Sequence, residues 1–190
     1  MEKDAHTEVT NIDLRILRAL LQVAETNSTR YFLNYNGVQV ECMGDSVICV
    51  ATNAEVLLAA RIDCTCDVAP SFIIPRTLLS QIKLKATKPQ IGTVTREGDR
   101  VTIAFDGQTY GGSVVGGEYP NWRNVMPQYA DNTAASYDYA IVQSLVAAAK
   151  AIGNKSTEVV IGQNGKAPGI VTIGHIPTAE IIGCITPIHT

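Results

Sequence analysis

Helix-like segments begin at roughly residues 12, 75 and 140 of this 190-residue chain, an internal period of about 60–65 residues that points to a modular fold. Each helical pattern is followed by short stretches with strand character. In the first unit, Thr10 and Asp13 are spaced as a capping box, and a helix is expected over Ile12–Glu25. Leu14, Leu17, Leu20, Leu21 and Ala24 form its apolar stripe, with Arg15, Arg18 and Gln22 opposite. Residues 1–8 read as a frayed start. The stretch Thr29–Asp63 reads as three strands divided by turns at Asn36-Gly37 and Gly44-Asp45. Val38, Val40 and Cys42 alternate with Gln39 and Glu41, as on a half-buried strand.

In the second unit Pro75 suits the first turn of a helix, whose inner residues are Leu78, Leu79 and Ile82. Strands are expected at Gln90–Arg96, Arg100–Asp106 and Gln108–Val115, the last two joined by the hairpin dipeptide Asp106-Gly107. Residues 116–135 carry two prolines, paired glycines and no periodicity, and mark a connector. The third unit opens with a short strand at Ser136–Tyr139. A helix follows, with a stripe of Ile141, Val142, Leu145, Val146, Ala149 and Ile152 and a stop at Gly153. Strands then run roughly over Glu158–Gly162, Gly169–Gly174 and Thr178–Thr186. One helix with three strands per unit is an α+β arrangement in which neighbouring units share sheets and the helices line one surface.

Charge is distributed unevenly over this pattern. The net charge of −3 excludes a globally basic nucleic-acid binder, so any such role needs a local arrangement. The helical segments 12–27, 74–88 and 137–155 hold eight of the fifteen basic residues but three of the eighteen acidic ones, so the helix surface is positive on a negative protein. Arg15, Arg18, Arg76, Lys83, Lys85 and Lys150 lie on it. A surface that tracks duplex phosphates without reading bases has this character; a merely solvated helix face is the plain alternative.

Other motifs carry less. Cys64-Thr65-Cys66 would point two thiols the same way, but no second ligand pair completes a zinc site, and no metal or cofactor is expected. The three histidines are scattered, and no nucleophile has an orienting base. The paired glycines at 111–112 and 116–117 follow a strand without opening a helix, so they are no phosphate loop. No enzyme is expected; a small thiol protein using Cys64 and Cys66 is the outlying reading. The polar start, five cysteines and lack of a long apolar run fit a cytoplasmic protein without a membrane span.

Several short motifs in order carry a family resemblance: Thr29-Arg30-Tyr31-Phe32-Leu33-Asn34 with Gly37, Val50-Ala51-Thr52-Asn53, Phe72-Ile73-Ile74-Pro75-Arg76, and Gly117 through Pro127. With the ending Gly183-Cys184-Ile185-Thr186-Pro187-Ile188-His189, they resemble the bacterial DNA sliding clamp, the β subunit of DNA polymerase III. Residues 9–128 look like its complete middle domain of two half-units, and 136–190 like the second half of its third domain. The resemblance implies the DNA-clamp fold, with sheets outside and helices inside. It also implies a non-catalytic processivity factor of DNA replication that encircles duplex DNA and tethers a polymerase or clamp loader. Arg30 and Tyr31 match the family's DNA-touching loop, with Phe32 in place of a second tyrosine. Thr52, Leu57, Pro120, Val125, Pro187 and Ile188 match a pocket for partner peptides. Within that pattern Ala54-Glu55-Val56 replaces Gly-His-Arg, and Thr186 and His189 replace a methionine and an arginine. Family rings contain twelve half-units, so three per chain implies a tetramer. The alternative is a decoy or regulator that binds clamp-directed peptides without encircling DNA.

Overall fold

The computed structural model describes residues 6–26, 35–85, 88–153, 158–177 and 179–188, with the side chains of 175 and 176 left aside. The first unit begins earlier than its helix. His6–Asp13 is a strand (β1) in which Thr7 and Val9 are buried and His6 and Glu8 exposed, so residues 6–8 are ordered rather than frayed. The helix α1 is shorter than its apolar stripe suggests, Leu14–Leu20, and the stripe continues through a turn in which Leu21 and Ala24 stay buried. Thr10, three residues ahead of the N-cap, takes no part in capping; its hydroxyl donates to the Thr65 carbonyl at 3.5 Å. Asp13 alone caps α1, accepting from the Arg15 amide at 3.1 Å.

Three strands follow α1: β2 (Gly37–Cys42), β3 (Ser46–Thr52) and β4 (Val56–Asp63). Asn36-Gly37 marks the start of β2, but the run after Gly44-Asp45 is a hairpin rather than one strand. Its turn is held by side chains: Asn53 Oδ1 accepts from the amides of Glu55 and Val56 at 3.0 Å, and Ala54 takes φ +74°. Part of the first expected strand, residues 29–34, lies outside the described residues. A two-residue strand, β5 (Thr65–Cys66), closes the unit.

The second unit repeats the scheme: a lead strand β6 (Phe72–Pro75), a helix α2 (Arg76–Gln81), then β7 (Ile91–Glu97), β8 (Arg100–Phe105) and β9 (Gln108–Ser113). Pro75 ends the lead strand and caps α2, one position before the expected first turn. The third unit has no lead strand among the described residues. Residues 136–138 are irregular, and α3 (Tyr139–Ala151) is capped by Asp138, which accepts from the Ala140 amide at 2.7 Å. Gly153 ends α3 at φ +75°, a backbone region that glycine enters without penalty. β10 (Val159–Gly162), β11 (Gly169–Ile176) and β12 (Ala179–Ile185) follow.

The lead strands are exchanged. β1, ahead of α1, pairs antiparallel with β7 of the second unit, and β6, ahead of α2, pairs with β2 of the first. One sheet therefore runs β5-β1-β7-β8-β9, and the other runs β10-β11-β12-β4-β3-β2-β6. The second sheet crosses into the third unit where β12 pairs with β4 from Ala179↔Ile62 to Ile185↔Val56. Gly183 makes that join possible, since a Cβ there would run into the Leu57 carbonyl oxygen. α1 packs against both α2 and α3, so the helices stand in one row, and the main core lies between that row and the sheets.

Candidate peptide cavity and basic helix face

On the other face of the larger sheet, Val50, Leu57, Ala59 and Cys184 form a second small core with Trp122. The covering element is the connector. A short 3-10 helix, Trp122–Val125, lies against β2: Trp122 Nε1 donates to Glu41 Oε1 at 2.9 Å, and the Arg123 guanidinium stacks 4.3 Å from the Trp122 ring while donating to both Glu41 oxygens. Tyr119 donates its hydroxyl to the Val50 carbonyl at 3.3 Å, and burial pushes its pKa well up.

Between this connector, the β3–β4 turn and the end of β12 lies a cavity of about 240 Å³. Of the residues expected to form a peptide pocket, the structure brings Thr52, Leu57, Pro120 and Val125 together in its wall. Thr52 is oriented by donating to the Val56 carbonyl at 2.7 Å and accepting from the Ala54 amide. Val125 is 54% exposed, so it presents an apolar rim to solvent. Pro187 and Ile188 are not in the wall. The chain leaves the cavity after Thr186, whose amide donates to the Glu55 carbonyl, and the Ile188 amide turns away to donate to the Ser136 carbonyl. Thr186 and Cys184 supply that side instead, together with Tyr35 and Trp122, which sequence reasoning does not place there. The only tryptophan of the chain, two residues after Pro120, is the signal that could have found it. Glu55 is exposed beside the cavity and gives it an acidic edge.

The helix row is less freely charged than its composition implies. Arg15 is only 7% exposed: it forks onto Asp13, with Nη2 to Oδ2 at 2.7 Å, and Nη1 donates to the Ile152 carbonyl at 2.8 Å. Its place among outward-facing cations is therefore corrected to the interior, between α1 and α3. Arg18 Nη1 donates to the Ile82 carbonyl, and Arg76 Nη1 to those of Leu21 and Ala24. Burial lowers the Arg76 pKa, opposed by the nearby Glu25 charge. Lys83, Lys85 and Lys150 are exposed. Arg30 and Tyr31 lie outside the described residues.

Among the described residues no group of three or more His, Cys, Asp or Glu side chains is arranged to hold a metal, and all five cysteines are free. Cys66 Sγ accepts from the Gly44 amide and donates to the Ser46 carbonyl, both at 3.3 Å. Burial, with the neighbouring Cys66, pushes the thiols of Cys42 and Cys64 up to about 12, so they are protonated at neutral pH. No described helix is long and apolar enough to cross a membrane.

Comparison with solved structures settles the architecture. The Helicobacter pylori β clamp in complex with diflunisal superposes over 100% of this chain and 68% of its own, with a TM-score of 0.73 at 11% identity. The chain has the fold of the bacterial β sliding clamp. The β clamp of Thermotoga maritima gives a TM-score of 0.67 at 15% identity over 67% of its chain, and that of Bartonella birtlesii, bound to griselimycin, 0.71 at 14% over 67%. In sequence, the β sliding clamp of Treponema pallidum is 27% identical over 159 residues. The match takes in 80% of this chain but 42% of that relative, so the chain spans less than half the length of the relative it matches. No family model matches. One further H. pylori β-clamp structure is bound to a DNA ligase peptide.

Proposed function

We propose that this protein acts as a sliding clamp: a non-catalytic processivity factor that surrounds duplex DNA as a ring and holds replication partners through a short apolar peptide. The observation that carries this reading is the cavity at the β4–β12 join, apolar at Leu57, Pro120 and Val125 and large enough for one or two side chains. Residues 9–128 act as one clamp-like domain and 136–190 as a half-domain. Four chains of three units complete a ring of twelve, with third units meeting across a two-fold axis. Lys83, Lys85 and Lys150 face the phosphates, and Arg30 and Tyr31 add to them on the resemblance to the family's DNA-touching motif. Such contacts carry no sequence register, so the ring slides.

The test is binding of a DNA ligase-derived clamp peptide, read by Trp122 fluorescence. Saturable binding weakened at least tenfold by Val125→Glu is expected. A peptide that leaves the tryptophan signal unchanged and is not retained in equilibrium dialysis overturns the reading.

A second reading is favoured by one observation: Arg18 and Arg76 direct guanidinium donors to backbone carbonyls and Arg15 is buried, which thins the charge available to DNA. On that reading the protein is a regulator that occupies clamp-directed peptides without encircling DNA. Peptide binding with no retention on nicked circular DNA selects it.

A further inference from the structure

A second cavity, of about 470 Å³, begins one residue back along the connector from the first: Tyr119 lines it, and Pro120 lines the peptide cavity. Tyr119 also packs against Tyr35 of the peptide cavity wall, with ring centroids 5.7 Å apart. The second cavity sits where the two sheets meet. Gln39 of β2 and Phe72 and Ile73 of β6 come from the larger sheet, and Arg96 and Asp99 come from β7 and the turn after it. The connector is pinned to both sides. The Val114 amide donates to the Asp99 carbonyl at 2.8 Å, and the Val115 amide to the Ile73 carbonyl at 3.1 Å.

What this lining lacks is a donor. Gln39 is only 8% exposed, and its Oε1 is buried with no hydrogen-bond partner among the described residues. Buried acceptors are almost always met, so an unmet one in a cavity wall marks a place where a donor belongs. Asp99 and Glu118 bring two negative charges to the same wall, and both residues are exposed. Arg96 is the single cation there, and it is already engaged. Its Nε donates to the Gly98 carbonyl at 2.9 Å, Nη1 reaches the Pro70 and Ser71 carbonyls at 3.4 and 3.5 Å, and the guanidinium lies over the Phe72 ring. A matching occupant therefore carries a positive charge and several N–H donors. A guanidinium has five such donors and an ammonium three, and neither accepts.

We propose that this cavity is a subsite for a basic side chain, an alkylguanidinium or alkylammonium group that donates to Gln39 Oε1 and pairs with Asp99. The side chain belongs to the peptide held in the neighbouring cavity, a few residues to one side of its apolar anchor; in naming that source the inference rests on the proposed function. One cavity then reads apolar shape and the next reads charge, and a peptide with a basic flank is preferred over one without.

The test compares the DNA ligase-derived clamp peptide with versions lengthened by Gly-Gly-Arg at either end, three residues that reach about 10 Å when extended. Calorimetry on the full chain at low salt is expected to show one lengthened peptide binding about tenfold more tightly than the core peptide, the gain of a charge-assisted hydrogen bond. Gly-Gly-Glu at the same end should give no gain. In Gln39→Leu/Asp99→Asn the gain should disappear while the core peptide binds as before. Gln39→Leu replaces an unmet polar group by an apolar one, so the melting temperature should hold or rise. If it falls, Asp99→Asn alone, at an exposed position, carries the comparison. No gain from either extension overturns the subsite. A gain that survives in the variant is attraction to the acidic edge at Glu55 and overturns it too; both results leave the peptide cavity standing. If the core peptide does not bind, the proposed function fails, and N-acetyl-arginine amide decides the subsite. Saturable shifts of the Gln39 side-chain amide resonances, lost in Asp99→Asn, support it, and unmoved resonances overturn it.

Discussion

The Arg15 guanidinium donates to the Ile152 carbonyl at 2.8 Å, across the contact between α1 of the first unit and the C-terminal turn of α3. The same side chain forks onto Asp13, which is 1% exposed and caps α1. A cation on the proposed DNA side thus serves as a brace between units. Arg15→Met leaves the Asp13 carboxylate buried without its main partner, and breaking such a pair costs about 3–5 kcal/mol. Urea denaturation should show a destabilisation of that order, and Asp13→Asn in the same chain should recover part of it. A change within about 0.5 kcal/mol, the range of an ordinary surface substitution, would contradict the brace.

The thiol cluster predicts alkaline sensitivity. Burial raises Cys42 and Cys64 to about 12 from an ordinary value of 9.0, so the unfolded chain releases these protons first. Their contribution to stability is fully present below pH 9 and disappears as pH rises through 12. Denaturation midpoints should therefore fall on this alkaline limb, and Cys42→Ala/Cys64→Ala should flatten it. An unchanged slope in the double variant would contradict the assignment.

Glu41 holds the connector through Trp122 and Arg123. Arg123 is half exposed, so its ion pair adds little in water and the indole hydrogen bond carries most of the effect. Glu41→Ala should shift the tryptophan emission to the red and weaken peptide binding several-fold, with a destabilisation of about 1 kcal/mol. Titrations that follow the single tryptophan report both effects.

The exposed lysines predict a salt signature. Replacing Lys83, Lys85 and Lys150 by glutamine should lower DNA affinity uniformly across sequences and reduce the slope of log K against log salt by about 1 for each phosphate no longer neutralised. Peptide affinity should not change. A slope unaffected by all three replacements would place the DNA-binding surface elsewhere.

The repeat itself is legible because each helix carries an apolar stripe at helical spacing and most hairpins a turn dipeptide. The lead strands are harder to read. β1 is polar at most of its eight residues, so it resembles a loose start until β7 is beside it. The β3–β4 turn escapes notice because Thr52-Asn53-Ala54-Glu55 contains neither glycine nor proline, and the bend depends on side-chain acceptors and a positive φ at alanine. In the cavity, the positions close to the turn and connector are recognisable. Pro187 and Ile188 are misplaced because the direction of the tail is set by a hydrogen bond to Ser136, 52 residues earlier in the chain. Composition also overstates the basic face, since it counts a guanidinium directed at a carbonyl the same as one directed at solvent.

The exchange of lead strands has a consequence for how the protein folds. β1 must wait for β7, whose paired residues lie 78 to 91 positions further along the chain, and β6 completes a sheet begun by β2, so neither of the first two units can finish alone. Non-local pairings of this kind fold slowly and melt together. The third unit contributes no lead strand among the described residues and is held by β12 and α3. It is the part that can open as a separate cooperative block while the first two remain intact. Hydrogen exchange would see that as weaker protection in β10 and β11 than in β2 and β7.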